Sequence, residues 1–128
     1  MKQIQMTKNS SFSLISTNKI IQMSDVWTSY DSKTFALEGI NLSIDRGTNY
    51  AIVGQSGSGK STMMNLIGSL DVPTKGKILL DGEDISTLSE SDLSQIRGKK
   101  IGFIFQQFNL IANLTAKENV MNPMLFQG

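Results

Sequence analysis

The chain is 128 residues long and carries 12 Lys and Arg against 11 Asp and Glu, with no His and no Cys. That length suits one domain with its own core, and a formal net charge of +1 gives no general electrostatic case for nucleic acid or an anionic membrane. Without His or Cys there is no disulfide frame, thiol nucleophile, imidazole base or Cys/His zinc site, so chemistry must rest on carboxylates, Lys, hydroxyls, amides and backbone groups.

No run approaches the roughly 18 apolar residues needed to span a bilayer. The opening MKQIQMTKNSSFSLIS lacks the continuous apolar stretch of a cleaved signal, so a cytoplasmic chain is expected. Residues 1–18 read as a flexible arm, with Ser and Asn concentrated from Ser10 to Asn18. Ile20, Ile21, Val26 and Trp27 predict a strand over Lys19 to Tyr30, followed by a polar turn at Asp31-Ser32-Lys33. Ile40, Leu42 and Ile44 alternate strictly, which predicts a half-buried strand antiparallel to the first. Tyr50 to Val53 is instead an unbroken apolar run ending at Gly54, the pattern of a strand buried on both faces in a parallel sheet.

Met63, Leu66, Ile67 and Leu70 follow helical spacing, and Gly68 and Pro73 place the helix end near Leu70. Gly76 to Leu80 is a further apolar stretch, closed by the hairpin dipeptide Asp81-Gly82. Ser89 and Asp92 are spaced as a cap for a polar helix over Ser89 to Lys99. Ile101 to Phe105 is a second candidate for a buried strand. Thr115 with Glu118 forms a capping box, so a helix should start near Ala116 and run toward the C-terminus.

Between the run at Tyr50 and the helix lies Gly54-Gln55-Ser56-Gly57-Ser58-Gly59-Lys60-Ser61, a complete G-x-x-x-x-G-K-[ST] motif. Its glycines let successive N–H groups point into one concavity, and the positive end of the following helix favours an anion there. Lys60 brings a full charge to β- and γ-phosphates, the Ser61 hydroxyl can coordinate Mg²⁺, and Thr62 adds another hydroxyl and N–H. A Gly/Ser linker could match by accident, but this one follows an apolar strand and opens an amphipathic helix, as phosphate binding requires.

The order of elements then resembles the N-terminal half of an ABC transporter ATP-binding subunit, closest to the branch serving macrolide, lipoprotein and peptide exporters. FALEGINLSIDRGTNYAIVGQSGSGKSTMMNLIGSLDVPTKGKILLDGEDIS and RGKKIGFIFQQFNLIANLTAKENV carry the likeness, which runs from Ile20 almost to the end. It implies an α/β fold: a P-loop NTPase core, with a partial parallel sheet and flanking helices, plus an N-terminal antiparallel β-subdomain. Residues 19–128 would form a truncated nucleotide-binding domain. By the resemblance, Gly54, Gln55, Ser56, Gly57, Ser58, Gly59, Lys60, Ser61 and Thr62 hold the phosphates of ATP, with Mg²⁺ at Ser61 and Gln106. Tyr30 matches the aromatic that stacks on adenine, with Trp27 as rival. Gln106 matches the glutamine that contacts Mg²⁺ and the attacking water, with Gln107 beside it as the alternative. Phe108 to Glu118 corresponds to the surface that receives a membrane permease subunit, with inward packing of Phe108, Leu110, Ile111 and Leu114 as the alternative.

The resemblance further implies a second nucleotide-binding subunit as dimer partner, no nucleic acid, and a cytoplasmic position on the inner face of the cell membrane. The family's signature sequence, Walker B carboxylates and switch histidine are expected beyond Gly128, so little hydrolysis is expected of this chain alone. Ile78-Leu79-Leu80-Asp81 imitates a Walker B strand, but Gly82 follows where a catalytic Glu should stand, and the run lies too soon after Lys60. An ATP-binding interaction module without catalysis, or a non-transport ABC ATPase, are the alternatives at this stage.

Overall fold

The computed structural model describes residues 5–9, 18–31 and 33–126. In chain order the elements are β1 (Gln5–Asn9), β2 (Lys19–Ser29), β3 (Phe35–Asp45), β4 (Asn49–Val53), α1 (Lys60–Ile67), β5 (Lys75–Leu80), β6 (Glu83–Asp84), α2 (Glu90–Lys100) and α3 (Ala116–Met121). A 3₁₀ turn, Asn122–Phe126, follows α3. The chain is therefore α/β.

Four strands form one antiparallel sheet in the order β3-β2-β5-β6. The alternation read from Ile40 onward places β3 antiparallel to β2, with Val26 opposite Ile40 and Met23 opposite Leu42. Ile21, Met23, Val26, Leu37, Ile78 and Leu80 of this sheet share one buried cluster with Met63 and Leu66 of α1 and Leu93 and Ile96 of α2. Each such side chain contributes roughly 1.5–3 kcal/mol on burial, so the core resides between the antiparallel sheet and two helices. The β5–β6 hairpin turns through Asp81 (φ 52°) and Gly82 (φ 80°), the two positive φ values of a type I′ turn. Asp81 thus belongs to a hairpin, paired with Arg46, and does not end a buried strand.

β4 departs from expectation. It alternates, with Tyr50 and Ile52 half-buried and Asn49, Ala51 and Val53 exposed, so only one of its faces is covered. Its partner is β1, antiparallel, with Thr7 opposite Ala51. Every strand pairing among the described residues is antiparallel, and the partial parallel sheet expected around β4 is not formed by them. Ile101 to Phe105, the expected second buried strand, makes no strand pairing among the described residues, and Ile104 is fully exposed. A parallel strand needs a neighbour reached by a crossover, and no such ladder joins this segment to β4 among the described residues. Five residues of the expected arm, Gln5–Asn9, instead form β1; the Ser10 to Asn18 stretch lies outside the described residues except for Asn18.

α1 stops at Ile67, short of the expected Leu70. Its end is a Schellman motif: Ser69 N–H donates to Leu66 O (3.1 Å) and Leu70 N–H to Asn65 O (2.8 Å). Ser69, at φ 54°, takes the left-handed position usually given to Gly. Arg97 of α2 donates to the Ser69 carbonyl (2.6 Å) and pairs with Glu90 (2.6 Å), tying α2 to the negative end of the α1 dipole.

Candidate phosphate-binding site

β4 delivers the chain to Gly54, and α1 begins six residues later at Lys60. The intervening loop turns at Ser58, whose N–H donates to Gln55 O (3.2 Å), and passes through Gly57 (φ 71°) and Gly59 (φ 92°). Those left-handed values are what glycine permits without strain. Gly59 is also the N-cap of α1, and no side chain caps it. The helix therefore presents its first N–H groups, and the positive end of its dipole, to whatever occupies the loop.

Gly57, Gly59, Lys60, Ser61 and Thr62 line one cavity of about 220 Å³. Lys60 Nζ lies back over the loop, donating to Gly54 O (2.9 Å), Gln55 O (2.6 Å) and Ser58 Oγ (3.5 Å). Gly54, Gln55 and Ser56 are exposed and outside the lining, although the first two hold the Lys60 ammonium through their carbonyls. The sixth lining residue is Ala36 at the start of β3. Its apolar, featureless side chain gave no sequence signal of a site. Among the described residues no three His, Cys, Asp or Glu side chains converge to hold a metal; the hydroxyl-bearing residues of the cavity lining are Ser61 and Thr62.

The remaining expected residues lie outside the cavity lining. Tyr30 is 65% exposed at the end of β2. Trp27, its rival, packs edge-on against Phe35 at 5.2 Å and donates its indole N–H to Asp25 Oδ1 (2.8 Å). Gln106 and Gln107 are both exposed, just after Phe105. Phe103 covers the backbone of Gly68 and stacks on Phe105 at 5.5 Å. Of the four apolar residues beyond, Phe108, Leu110 and Ile111 point to solvent and Leu114 is half-buried. Asn119 fixes this loop, accepting from Ile111 N–H (2.8 Å) and donating to the carbonyls of Ile111, Leu114 and Thr115 (3.2, 3.1 and 3.0 Å). No helix among the described residues is long and apolar enough to cross a membrane.

The ABC transporter family model matches residues 37–127. The chain is similar to the macrolide export ATP-binding/permease protein MacB of Brucella abortus, 46% identical over 112 residues, covering 85% of this chain and 17% of that one. It is 54% identical over 93 residues to the lipoprotein-releasing system ATP-binding protein LolD 1 of Rhodopseudomonas palustris, covering 73% and 41%. The solved dimeric ATP-binding cassette MJ0796, in a post-hydrolysis state bound to ADP and Pi, superposes with a TM-score of 0.72 at 41% identity over 84% of this chain and 48% of that one. The chain spans about half the length of the first curated relatives it matches, 48% and 49% of two ABC transporter ATP-binding proteins.

Proposed function

The chain belongs to the ABC transporter family, and from that premise we propose that it is the ATP-binding part of a nucleotide-binding subunit that powers export or extraction through a membrane permease. The observation that carries this reading is the convergence of Lys60, Ser61 and Thr62 with two left-handed glycines on one cavity at the start of α1. A triphosphate there meets backbone N–H groups, a helix dipole and an ammonium together. Lys60 must then exchange the neutral carbonyls of Gly54 and Gln55 for anionic phosphate oxygens, which adds direct charge–charge attraction to its hydrogen bonds. The cavity is smaller than the roughly 300–1,000 Å³ typical of pockets that enclose a whole ligand. It therefore takes the phosphates and leaves the base outside.

The remaining roles follow the same division. Mg²⁺ fits a site with one protein hydroxyl, since it commonly keeps water and substrate phosphate oxygens as its other ligands. Ser61 would hold it, joined by the Gln106 amide, and when bound it would neutralise charge on the transferred phosphoryl group. Gln106 can donate and accept toward an attacking water without a charge of its own. Tyr30 stacks on the adenine; Trp27 is less suited because its ring and N–H are already engaged. The permease docks on the apolar loop around Phe108 and Leu110, a second nucleotide-binding subunit completes a dimer, and the assembly sits on the cytoplasmic face of the membrane. The similarity to macrolide-export and lipoprotein-releasing proteins supports an exporter of that branch.

Isothermal titration of MgATP into the chain and into Lys60→Ala tests the proposal. Saturable binding by the unmodified chain, weakened at least about tenfold by the substitution, is expected, since losing a charged hydrogen-bond donor costs about 1.5–3 kcal/mol. Equal affinity of the two proteins contradicts it.

A further inference from the structure

Between β2 and β3 one carboxylate gathers hydrogen bonds from residues on either side of it. Asp31 Oδ1 accepts the backbone N–H of Thr34 (2.7 Å) and of Lys33 (2.9 Å), together with the Ser29 hydroxyl (3.3 Å). Ser29 Oγ is also 2.8 Å from the Thr34 carbonyl, closing the loop from its other end. The base of the loop is fixed to a third segment: Ser29 N–H donates to Thr74 Oγ1 (3.0 Å), and Thr74 N–H donates to Trp27 O (2.8 Å). Tyr30 therefore stands between Ser29, whose backbone N–H is held by Thr74, and Asp31, whose carboxylate is held by Lys33 and Thr34, while its ring is left to solvent. Ala36, two residues past the loop, lines the phosphate cavity, so the restraint is applied where β3 enters the site.

An exposed ring that must order itself on each binding event loses side-chain and loop entropy, and a loop already ordered avoids part of that cost. We propose that Asp31 is a positioning residue that pre-orders Tyr30 for stacking on the base of the bound nucleotide; this rests on the reading of Tyr30 as the base-stacking aromatic. The same hydrogen bonds, from Thr34 first and Lys33 second, keep the Asp31 carboxyl ionised below the ordinary carboxylate range. Asp31 itself is outside the cavity lining and acts only through the loop.

The test titrates the 128-residue chain with MgATP and with magnesium tripolyphosphate, which has no base, across Asp31→Ala, Asp31→Asn, Tyr30→Ala and the double variant. Asp31→Ala should weaken MgATP by roughly three- to tenfold and leave tripolyphosphate unchanged. Asp31→Asn, which keeps a carbonyl acceptor, should recover most of the loss. In the Tyr30→Ala background, Asp31→Ala should add nothing. Equal losses for both ligands, additive losses in the double variant, or no loss where Tyr30→Ala does weaken MgATP would each overturn the proposal. A silent Tyr30→Ala instead removes the stacking reading, and absence of MgATP binding by the unmodified chain removes the nucleotide reading itself; the proposal falls with either.

Discussion

Ser69 shows how one residue can hold a position its chemistry does not favour. It occupies the left-handed C′ position of the α1 Schellman motif, fully buried, and its hydroxyl has no hydrogen-bond partner among the described residues. A non-glycine residue there costs about 1–2 kcal/mol in backbone strain, and an unsatisfied buried hydroxyl adds to it. Ser69→Gly removes both terms at the expense of a more flexible unfolded chain. A net gain of about 1 kcal/mol is expected, read as a higher urea midpoint at unchanged slope. A fall in the midpoint would mean that the hydroxyl is partnered after all. Lys60 is the opposite case, a side chain whose type, spacing and surroundings agree. Its place at the loop was legible from the motif alone, whereas that of Ala36 was not, because a methyl group joins a cavity lining only through where β3 places it.

At the scale of elements, capping chemistry carried over from sequence to structure with little loss. Ser89 caps α2 by accepting the Asp92 N–H, and Thr115 with Glu118 completes both halves of a capping box on α3. These are local interactions, settled within four residues, so the sequence contains all their parts. Glu118 also makes α3 sensitive to acid. The Thr115 hydroxyl and then its backbone N–H lower the Glu118 pKa from its ordinary 4.5. A carboxyl with a depressed folded pKa contributes stability above its unfolded value, and that contribution is lost as pH falls through the folded one. Amide exchange at the start of α3 should therefore quicken as pH is lowered below 4.5, relative to α2 and after correction for intrinsic rates. In Glu118→Gln this pH dependence should disappear, and in Thr115→Ala, which keeps the backbone N–H donor, it should only weaken; its survival in Glu118→Gln would place the cause elsewhere.

Element types were less legible where they depended on a distant partner. The β2–β3 pair and the β5–β6 hairpin declared themselves through alternation and turn residues. Ile101 to Phe105 has strand composition but no paired edge among the described residues, and its Phe103 packs on Gly68 instead. β1, with Gln5, Thr7, Lys8 and Asn9 around a single Met, has too few apolar residues to announce a strand; it forms by pairing with β4. β propensity describes fitness for a half-buried pleated surface, and which surface exists is decided by the rest of the fold.

Across the molecule, the buried core and the candidate site are separate constructions. Burial is concentrated between the antiparallel sheet and the two helices, while the loop between β4 and α1 carries the polar groups. α1 joins them, since Met63 and Leu66 anchor its buried face and Lys60, Ser61 and Thr62 open its first turn to the cavity. Arg97 fixes the far end of the same helix. The proposed phosphate site is thereby mounted on an element anchored at both ends, as a preorganised anion site needs. Tyr30 and Gln106, which the family resemblance adds to the site, lie on separate exposed segments, and spacing along the chain could not place them at the cavity.

The most direct test of phosphate binding by this loop is an amide-resolved NMR titration of the chain with MgATP. The largest shifts are expected at Gly57, Gly59, Lys60, Ser61 and Thr62, saturating together and reproduced by magnesium tripolyphosphate. Shifts that saturate elsewhere while these five amides stay still would contradict it.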